Sequence, residues 1–109
     1  EITPAKYAVA FEYADKALEL DDTLGQVYFA YGMLYLLKKE RGKAIEACKR
    51  SLISNPNYAD CYAQYAQALS YDGKPEEALE KLHKAMEINP RYSFFYSWIE
   101  GRIQQLLGN

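Results

Sequence analysis

Few residues of this chain have the types and spacing that catalysis requires. The single histidine, His83, follows an apolar position of a helical pattern, and general-base chemistry would need a reacting group in the same site. The carboxylates of Glu76, Glu77 and Glu80 are close in sequence, but they fall in the first turns of a predicted helix, where negative charge favours the helix dipole. We interpret His83 and the glutamates as surface residues and predict no catalytic residue.

The two cysteines, Cys48 and Cys61, form no metal-ligand pattern with the histidine. The sequence also lacks a phosphate-binding loop, a dinucleotide-binding turn, an HExxH motif and a nucleophile elbow. Because free cysteine behaves as a small apolar residue, we predict that both thiols are buried and inert. We therefore predict that the protein is not an enzyme and uses neither a metal nor a cofactor.

The composition of the 109 residues excludes several classes of function. Half of the residues are hydrophobic and 15% are aromatic, which rules out intrinsic disorder. The net charge of -2 argues against nucleic acid as a partner, because phosphate backbones require a basic face. Since no 18-residue apolar run and no signal-peptide pattern occur, we predict no membrane segment and a cytoplasmic location.

The elements that position the side chains follow from a repeat of 34 residues. When residues 25–58 are aligned with residues 59–92, tyrosines, alanines and Asn-Pro pairs coincide. The coinciding pairs include Tyr28 with Tyr62, Tyr31 with Tyr65, Ala44 with Ala78, and Asn55-Pro56 with Asn89-Pro90. A fixed period of this length is typical of one supersecondary unit copied along a solenoid.

Apolar spacing and turn residues within this period predict six helices. The first helix extends from about Pro4 to Leu20, the second from Gly25 to the turn at residues 38–42, and the third from that turn to Ser54. The fourth extends from about Tyr58 to Tyr71, the fifth from Pro75 to Asn89, and the sixth from Tyr92 to Leu107. Gly42 is the predicted helix breaker in the turn 38–42. Gly32 lies inside the second helix, where glycine costs about 1 kcal/mol relative to alanine, so we expect another helix to pack closely there.

The order of residues within the period resembles the tetratricopeptide repeat. The matching residues are Tyr28, Tyr31-Gly32, Tyr35, Ala44, Cys48 and Pro56 in one copy, and Tyr62, Tyr65-Ala66, Leu69, Ala78, Leu82 and Pro90 in the next. The resemblance implies an all-α fold, a right-handed α-α superhelix of six antiparallel helices in one domain over residues 1–109. Residues 1–24 would hold the second helix of a partial repeat, 25–58 and 59–92 would be full repeats, and 93–109 would hold the first helix of a partial or capping repeat.

The register of the last helix has two interpretations. A strict spacing of 34 places Glu100 where Gly32 and Ala66 stand, at a position that should be small. One inserted residue places Gly101 there instead, and Gly108 then follows Gly101 as Gly73 follows Ala66. This coincidence favours the insertion.

Residues 89–98 also have a weaker resemblance to repeats that follow the catalytic region of some bacterial adenylate cyclases and related multidomain regulators. We therefore expect the chain to be a fragment of a larger regulatory protein. Any cyclase chemistry would lie outside this sequence.

The resemblance further implies a concave surface, lined by the first helix of each pair, on which peptides bind. The predicted groove residues are Gln26, Phe29, Met33, Leu37, Gln64, Gln67, Tyr71 and Trp98, with Ala30, Asp60, Ala63 and Gln105 beside them. Exposed apolar side chains next to glutamines suit a peptide held by hydrophobic anchors and amide hydrogen bonds. An equally weighted alternative is that Phe29, Met33 and Leu37 pack against a preceding helix.

One subgroup of the family holds a terminal carboxylate with lysine, arginine and asparagine on this surface. The corresponding positions here carry Phe29, Ala30, Met33, Asp60 and Gln64. We therefore do not predict the C-termini of chaperones as ligands. Residues 38–50, with six basic and two acidic side chains, fit a solvated helix face better than a docking patch for an acidic partner.

Two functions follow from this interpretation. The first is a non-catalytic scaffold that binds a peptide or protein segment in the groove. The alternative is self-assembly, in which the last helix docks on the first helix of a neighbouring copy in a head-to-tail contact. That contact would bury Trp98, Ile99 and Ile103 against Ala10, Phe11 and Ala14. RNA binding by a related helical repeat is disfavoured by the period of 34 and the lack of a basic groove.

Overall fold

The computed structural model describes residues 4–20, 25–91 and 94–108, which form six α-helices and, within these ranges, no strand. The helices are α1 (Pro4–Leu20), α2 (Gly25–Leu37), α3 (Arg41–Ser54), α4 (Ala59–Tyr71), α5 (Pro75–Ile88) and α6 (Phe94–Leu106). The all-α prediction is confirmed. The predicted boundaries at Leu20, Ser54, Tyr71 and Pro75 agree with the observed ones.

Helices that follow one another in the chain pack antiparallel. The Tyr7 hydroxyl near the start of α1 donates a hydrogen bond to the carbonyl of Leu37, the last residue of α2, at 3.1 Å. The Tyr31 hydroxyl, in the middle of α2, donates to the carboxylate of Asp15, further along α1. In addition, α2 contacts α4, and α4 contacts α6. The helices α2, α4 and α6 therefore form one layer, and α1, α3 and α5 form the other.

Small residues on α3 and α5 allow the two layers to approach closely. The side chains of Ala44, Cys48 and Ser51 on α3 are fully buried, as are those of Ala78 and Ala85 on α5. The Ser51 hydroxyl donates to the carbonyl at the start of α2, Gly25, at 2.7 Å. These positions hold the core of the solenoid.

The two thiols lie next to each other between α3 and α4, and both cysteines are free and fully buried. The Cys61 thiol donates to the Cys48 carbonyl at 3.5 Å. The hydrogen bond with Cys61 and burial both raise the pKa of the Cys48 thiol. The predicted burial of both thiols is confirmed.

Gly32 lies where α2, α3 and α4 meet. A Cβ atom added at Gly32 would lie 2.5 Å from the Oε1 atom of Gln64 and 3.5 Å from the Sγ atom of Cys48. The expected close approach of another helix is confirmed. Because Gly32 has no side chain, Gln64 reaches α2 and donates from Nε2 to the Phe29 carbonyl at 3.2 Å.

The turn between α2 and α3 corrects one prediction. Gly42 is not the breaker, because α3 begins at Arg41 and Gly42 lies in its first turn. The left-handed residue is Lys39, with φ of 63°, and the Glu40 N–H closes the turn on the Tyr35 carbonyl at 2.8 Å. One period later, Gly73 has φ of 76° at the same position.

The register of α6 follows the predicted insertion. The predicted position of the insertion, before Phe94, borders residues 92 and 93, which lie outside the described residues. At the other end of the helix, Gly108, with φ of 84°, lies 35 residues after Gly73, with φ of 76°, which is one residue more than the period. Gly101 thus takes the position of Gly32, yet an added Cβ atom there would meet nothing within 4 Å, because no described helix covers it.

Candidate functional site

A concave cavity of about 480 Å³ lies between α2, α4 and the start of α6. Its lining consists of Phe29, Met33, Leu36, Leu37, Asp60, Gln64, Gln67, Tyr71 and Phe95. We call this cavity the groove. It brings together six of the eight predicted groove residues, namely Phe29, Met33, Leu37, Gln64, Gln67 and Tyr71.

The other two predicted residues lie outside the groove. Gln26 lines a separate cleft between α1 and α2. Trp98 lines a separate cleft on α6, together with Arg102, and stacks on Phe95, with the ring centroids 6.3 Å apart. Phe95, and not Trp98, lies in the groove because of the inserted residue. The strict period of 34 would align Phe95 with Cys61, which is buried.

The apolar part of the groove is open to solvent. Met33 is 46% exposed and Phe95 is 44% exposed, and Leu37 is exposed to a similar extent. The ring of Phe29 packs 5.0 Å from the ring of Tyr58, so Phe29 is supported from within the repeat. Grouped exposed apolar residues of this kind mark interaction sites in soluble proteins.

The polar side chains of the groove are partly engaged within the fold. Gln64 is only 5% exposed, its Nε2 donates to Phe29, and its Oε1 accepts from the Cys48 thiol at 3.4 Å. Gln64 therefore joins helices, and its amide is not free for the peptide contact that the sequence suggested. The Gln67 amide donates to the Tyr71 hydroxyl at 3.4 Å and stays partly exposed.

The carboxylate of Asp60 accepts a hydrogen bond from the hydroxyl of Tyr96 on α6. Burial, together with this hydrogen bond, raises the pKa of Tyr96. The contact joins the first turn of α4 to α6 at the edge of the groove. Asp60 thus places negative charge where a carboxylate-binding surface would need a cation.

Two arginines flank the opposite end of the groove at Tyr71. The guanidinium of Arg102 lies 4.2 Å from the Tyr71 ring centroid, and that of Arg41 lies 5.9 Å from it. The Nε atom of Arg102 is buried and has no hydrogen-bond partner among the described residues. Sequence reasoning missed Arg102, although the inserted register that it favoured aligns Arg102 with the groove residues Met33 and Gln67 of the preceding repeats.

The predicted self-association residues are divided between the surface and the core. Ile99 and Ile103 are fully buried in the main core, so a second copy has no access to them. Ala14 is buried, and Phe11 packs 5.1 Å from the ring of Tyr35. Of the six residues, Trp98 is exposed and Ala10 lines the cleft between α1 and α2.

The described ranges contain no group of three or more His, Cys, Asp and Glu side chains arranged to hold a metal ion. His83 is exposed, and its Nε2 atom lies 3.5 Å from a carboxylate oxygen of Glu100. Among the described helices, none combines the length and the apolar character that crossing a bilayer requires.

Comparison with known families agrees with this architecture. Two family profiles, each described as a tetratricopeptide repeat, match residues 25–58 and 47–80. Together they extend over residues 25–80, just over half of the chain. The chain therefore contains tetratricopeptide repeats and has the fold of that family.

Several known proteins are similar to this chain. The Peroxisomal targeting signal receptor of Kluyveromyces lactis is 27% identical over 84 residues, which cover 77% of this chain and 15% of the receptor. The first TPR domain of human RPAP3 has a TM-score of 0.88 at 22% identity, covering 95% of this chain and 81% of that domain. The first TPR of Spaghetti (RPAP3) bound to the HSP90 peptide SRMEEVD has a TM-score of 0.87 at 22% identity, with coverages of 96% and 82%. These structural similarities concern the fold.

Proposed function

We propose that this protein is a non-catalytic interaction scaffold that binds a segment of a partner protein in the groove. The observation that carries the proposal is the cavity itself, because Met33, Leu37 and Phe95 leave a concave apolar surface open to solvent. Apolar side chains of a bound segment are the expected anchors on such a surface. The structural relative that binds an HSP90 peptide supports the use of this fold for peptide recognition.

The side chains of the groove favour an internal peptide segment over a free C-terminus. Asp60 would repel a terminal carboxylate, and Phe29 and Met33 offer it no hydrogen-bond donor. Arg102, stacked on Tyr71, instead suits an acidic side chain at the far end of a bound segment. We expect a ligand with one large apolar residue and an acidic residue further along.

The groove can be tested by selecting binders from a display library of internal peptide segments and measuring their affinity by fluorescence anisotropy. We expect Met33→Ala and Phe95→Ala each to weaken the selected peptide about tenfold or more, since truncating an anchor residue costs about 2 kcal/mol or more and about 1.4 kcal/mol is a factor of ten. Ile53→Ala, at an apolar residue that is 80% exposed outside the groove, is the matched control. Equal binding by all three variants would contradict the groove assignment.

A second candidate function is head-to-tail self-association, for which two surfaces give specific support. The cleft between α1 and α2, of about 500 Å³, is lined almost entirely by apolar atoms, and Tyr13 and Val9 at its side are exposed. On α6, Trp98 is exposed beside the uncovered Gly101. We propose that α6 of one copy packs through Trp98 and Gly101 on α1 of the next, without the buried Ile99 and Ile103.

Sedimentation velocity across a range of protein concentrations tests this association. We expect the sedimentation coefficient to rise with concentration, and Gly101→Arg to remove the rise because its side chain would fill the contact. Glu87→Arg, an exposed change on α5, should leave the rise intact. A coefficient that stays constant for the unmodified chain up to high concentration would exclude the association.

Three further points remain part of this proposal. The absence of catalysis rests on the fold and on the lack of a reactive constellation in the sequence. Placement within a larger regulatory protein, including the resemblance of residues 89–98 to repeats of bacterial adenylate cyclases, stays a prediction. The cytoplasm is the proposed compartment, since two free thiols are compatible with a reducing environment.

A further inference from the structure

A second cavity, of about 710 Å³, lies on the side of α2 that faces away from the groove. Its floor is formed by Tyr28, Tyr31 and Tyr35, which share one face of α2, and its walls are α1 and α3. The two walls make no contact with each other, so the space between them stays open above the tyrosines. We call this cavity the tyrosine cleft.

The tyrosine rings provide a rigid, largely apolar floor. Tyr31 is buried and donates its hydroxyl to the Asp15 carboxylate, whereas Tyr28 and Tyr35 are half-buried. The rings of Tyr31 and Tyr35 lie 6.2 Å apart and nearly parallel, at 19°. Such a floor accepts an aromatic or branched aliphatic side chain, because the rings lose little conformational freedom when they are covered.

The charged residues that line the tyrosine cleft are two acidic ones, Asp15 and Glu46, and two basic ones, Lys43 and Arg50, and they differ in how far they are engaged within the fold. Both acidic residues that line it are engaged, because Asp15 accepts from Tyr31 and Glu46 lies 3.5 Å from Lys49. Lys43 pairs with Glu40 at 3.8 Å. In the described part of the chain, Arg50 forms no ion pair.

The position of Arg50 shows where an anion would bind. Its guanidinium lies 5.7 Å from the ring centroid of Tyr28 and donates to the Tyr28 hydroxyl at 3.4 Å. The stacked guanidinium is held at the rim of the tyrosine cleft, where the carboxylates of Asp15 and Glu46 are engaged with Tyr31 and Lys49. A carboxylate is the acceptor that this geometry suits.

We propose that the tyrosine cleft is a second docking surface, which binds an acidic segment of a partner protein that carries an aromatic or aliphatic residue beside its carboxylates. The apolar side chain packs on Tyr28 and Tyr35, and a neighbouring carboxylate pairs with Arg50. Of the six basic residues between positions 38 and 50, Lys43 and Arg50 line the tyrosine cleft. Because Lys43 is paired with Glu40, Arg50 is the cation that a carboxylate of the partner would meet. This surface acts independently of the groove, on the opposite face of α2.

The test is a titration of the ¹⁵N-labelled chain with the blocked peptide acetyl-Glu-Trp-Glu-Glu-Leu-amide, followed by two-dimensional NMR. Blocking the ends removes the free C-terminal carboxylate. We expect shift changes at the amides of Gly42, Lys43 and Ala47, and little change at Met33. The counterpart acetyl-Lys-Trp-Lys-Lys-Leu-amide should bind at least about tenfold more weakly.

Charge-reversal variants separate this surface from others. We expect Arg50→Glu to weaken the acidic peptide at least about tenfold, while Lys84→Glu, an exposed reversal on α5, leaves it unchanged. Met33→Ala in the groove should also leave it unchanged, so that failure of the groove proposal and failure of this one are distinguishable. Because Arg50 is exposed, we expect the circular dichroism spectrum of Arg50→Glu to match that of the unmodified chain.

Three results would overturn the proposal. They are an absence of shift changes at about 1 mM acidic peptide, equal binding of the acidic and basic peptides, and shift changes that map to the groove. A nucleotide or inorganic phosphate that displaces the acidic peptide from the tyrosine cleft at lower concentration would likewise contradict a peptide as its occupant.

Discussion

At the scale of single residues, the contact between Gly32 and Gln64 is the clearest link between sequence and packing. Glycine inside a helix costs about 1 kcal/mol relative to alanine. The space that Gly32 leaves is occupied by the amide of Gln64, which bonds to both Phe29 and Cys48. The sequence indicated that something packs closely at Gly32, but the partner depends on the crossing of α2 and α4.

We therefore expect Gly32→Ala to lower the free energy of unfolding by about 1 kcal/mol, despite the better helix propensity of alanine. The new methyl group displaces the Gln64 amide and leaves buried polar atoms without partners. Urea unfolding followed by circular dichroism measures the change. In a Gln64→Ala background, the same substitution should become neutral or stabilising, and an equal loss in both backgrounds would contradict this explanation.

At the scale of the helices, the two turns that close α2 and α4 have the same geometry with different residues. Lys39 and Gly73 both have positive φ, and each is followed by an N–H that bonds back to the helix. Only glycine adopts this conformation without strain. The sequence therefore located the first turn, at residues 38–42, but assigned its breaker to Gly42 in place of Lys39.

We predict that Lys39→Gly raises the free energy of unfolding by about 0.5–1 kcal/mol, because it removes the strain at positive φ. The reverse change, Gly73→Ala, should lower it by about 1 kcal/mol. Lys84→Gly, in the interior of α5, is the matched control and should be destabilising. If Lys39→Gly destabilised the protein as Lys84→Gly does, the assignment of Lys39 as a strained cap would be wrong.

The helices themselves were predictable, because apolar spacing and the Asn-Pro pairs mark their faces and ends. The prediction of groove residues was weakest for α6, because one extra residue there changes which side chains reach the groove. That shift brings Phe95 into the groove and Arg102 to its end, and it turns Gly101 outward. The spacing of Gly101 and Gly108 already favoured the insertion, but the side chains that it brings to the groove are identified only by the packing of α6.

At the scale of the whole molecule, the two-layer solenoid presents distinct surfaces on its two sides. The groove between α2, α4 and α6 is apolar, with Asp60 at one edge and Arg102 near the other. The tyrosine cleft between α1 and α3 has an aromatic floor and an arginine, Arg50, that forms no ion pair among the described residues. The two surfaces lie on opposite faces of α2, so we expect them to bind their partners independently.

The prediction that the groove binds a peptide is the central claim, and it is tested most directly by intermolecular nuclear Overhauser effects in a complex with a library-selected peptide. We expect contacts from the apolar anchor of the peptide to the methyl groups of Met33, Leu36 and Leu37 and to the ring of Phe95. Contacts confined to the tyrosine cleft, or to the cleft that Trp98 lines on α6, would contradict the prediction that the groove binds the peptide.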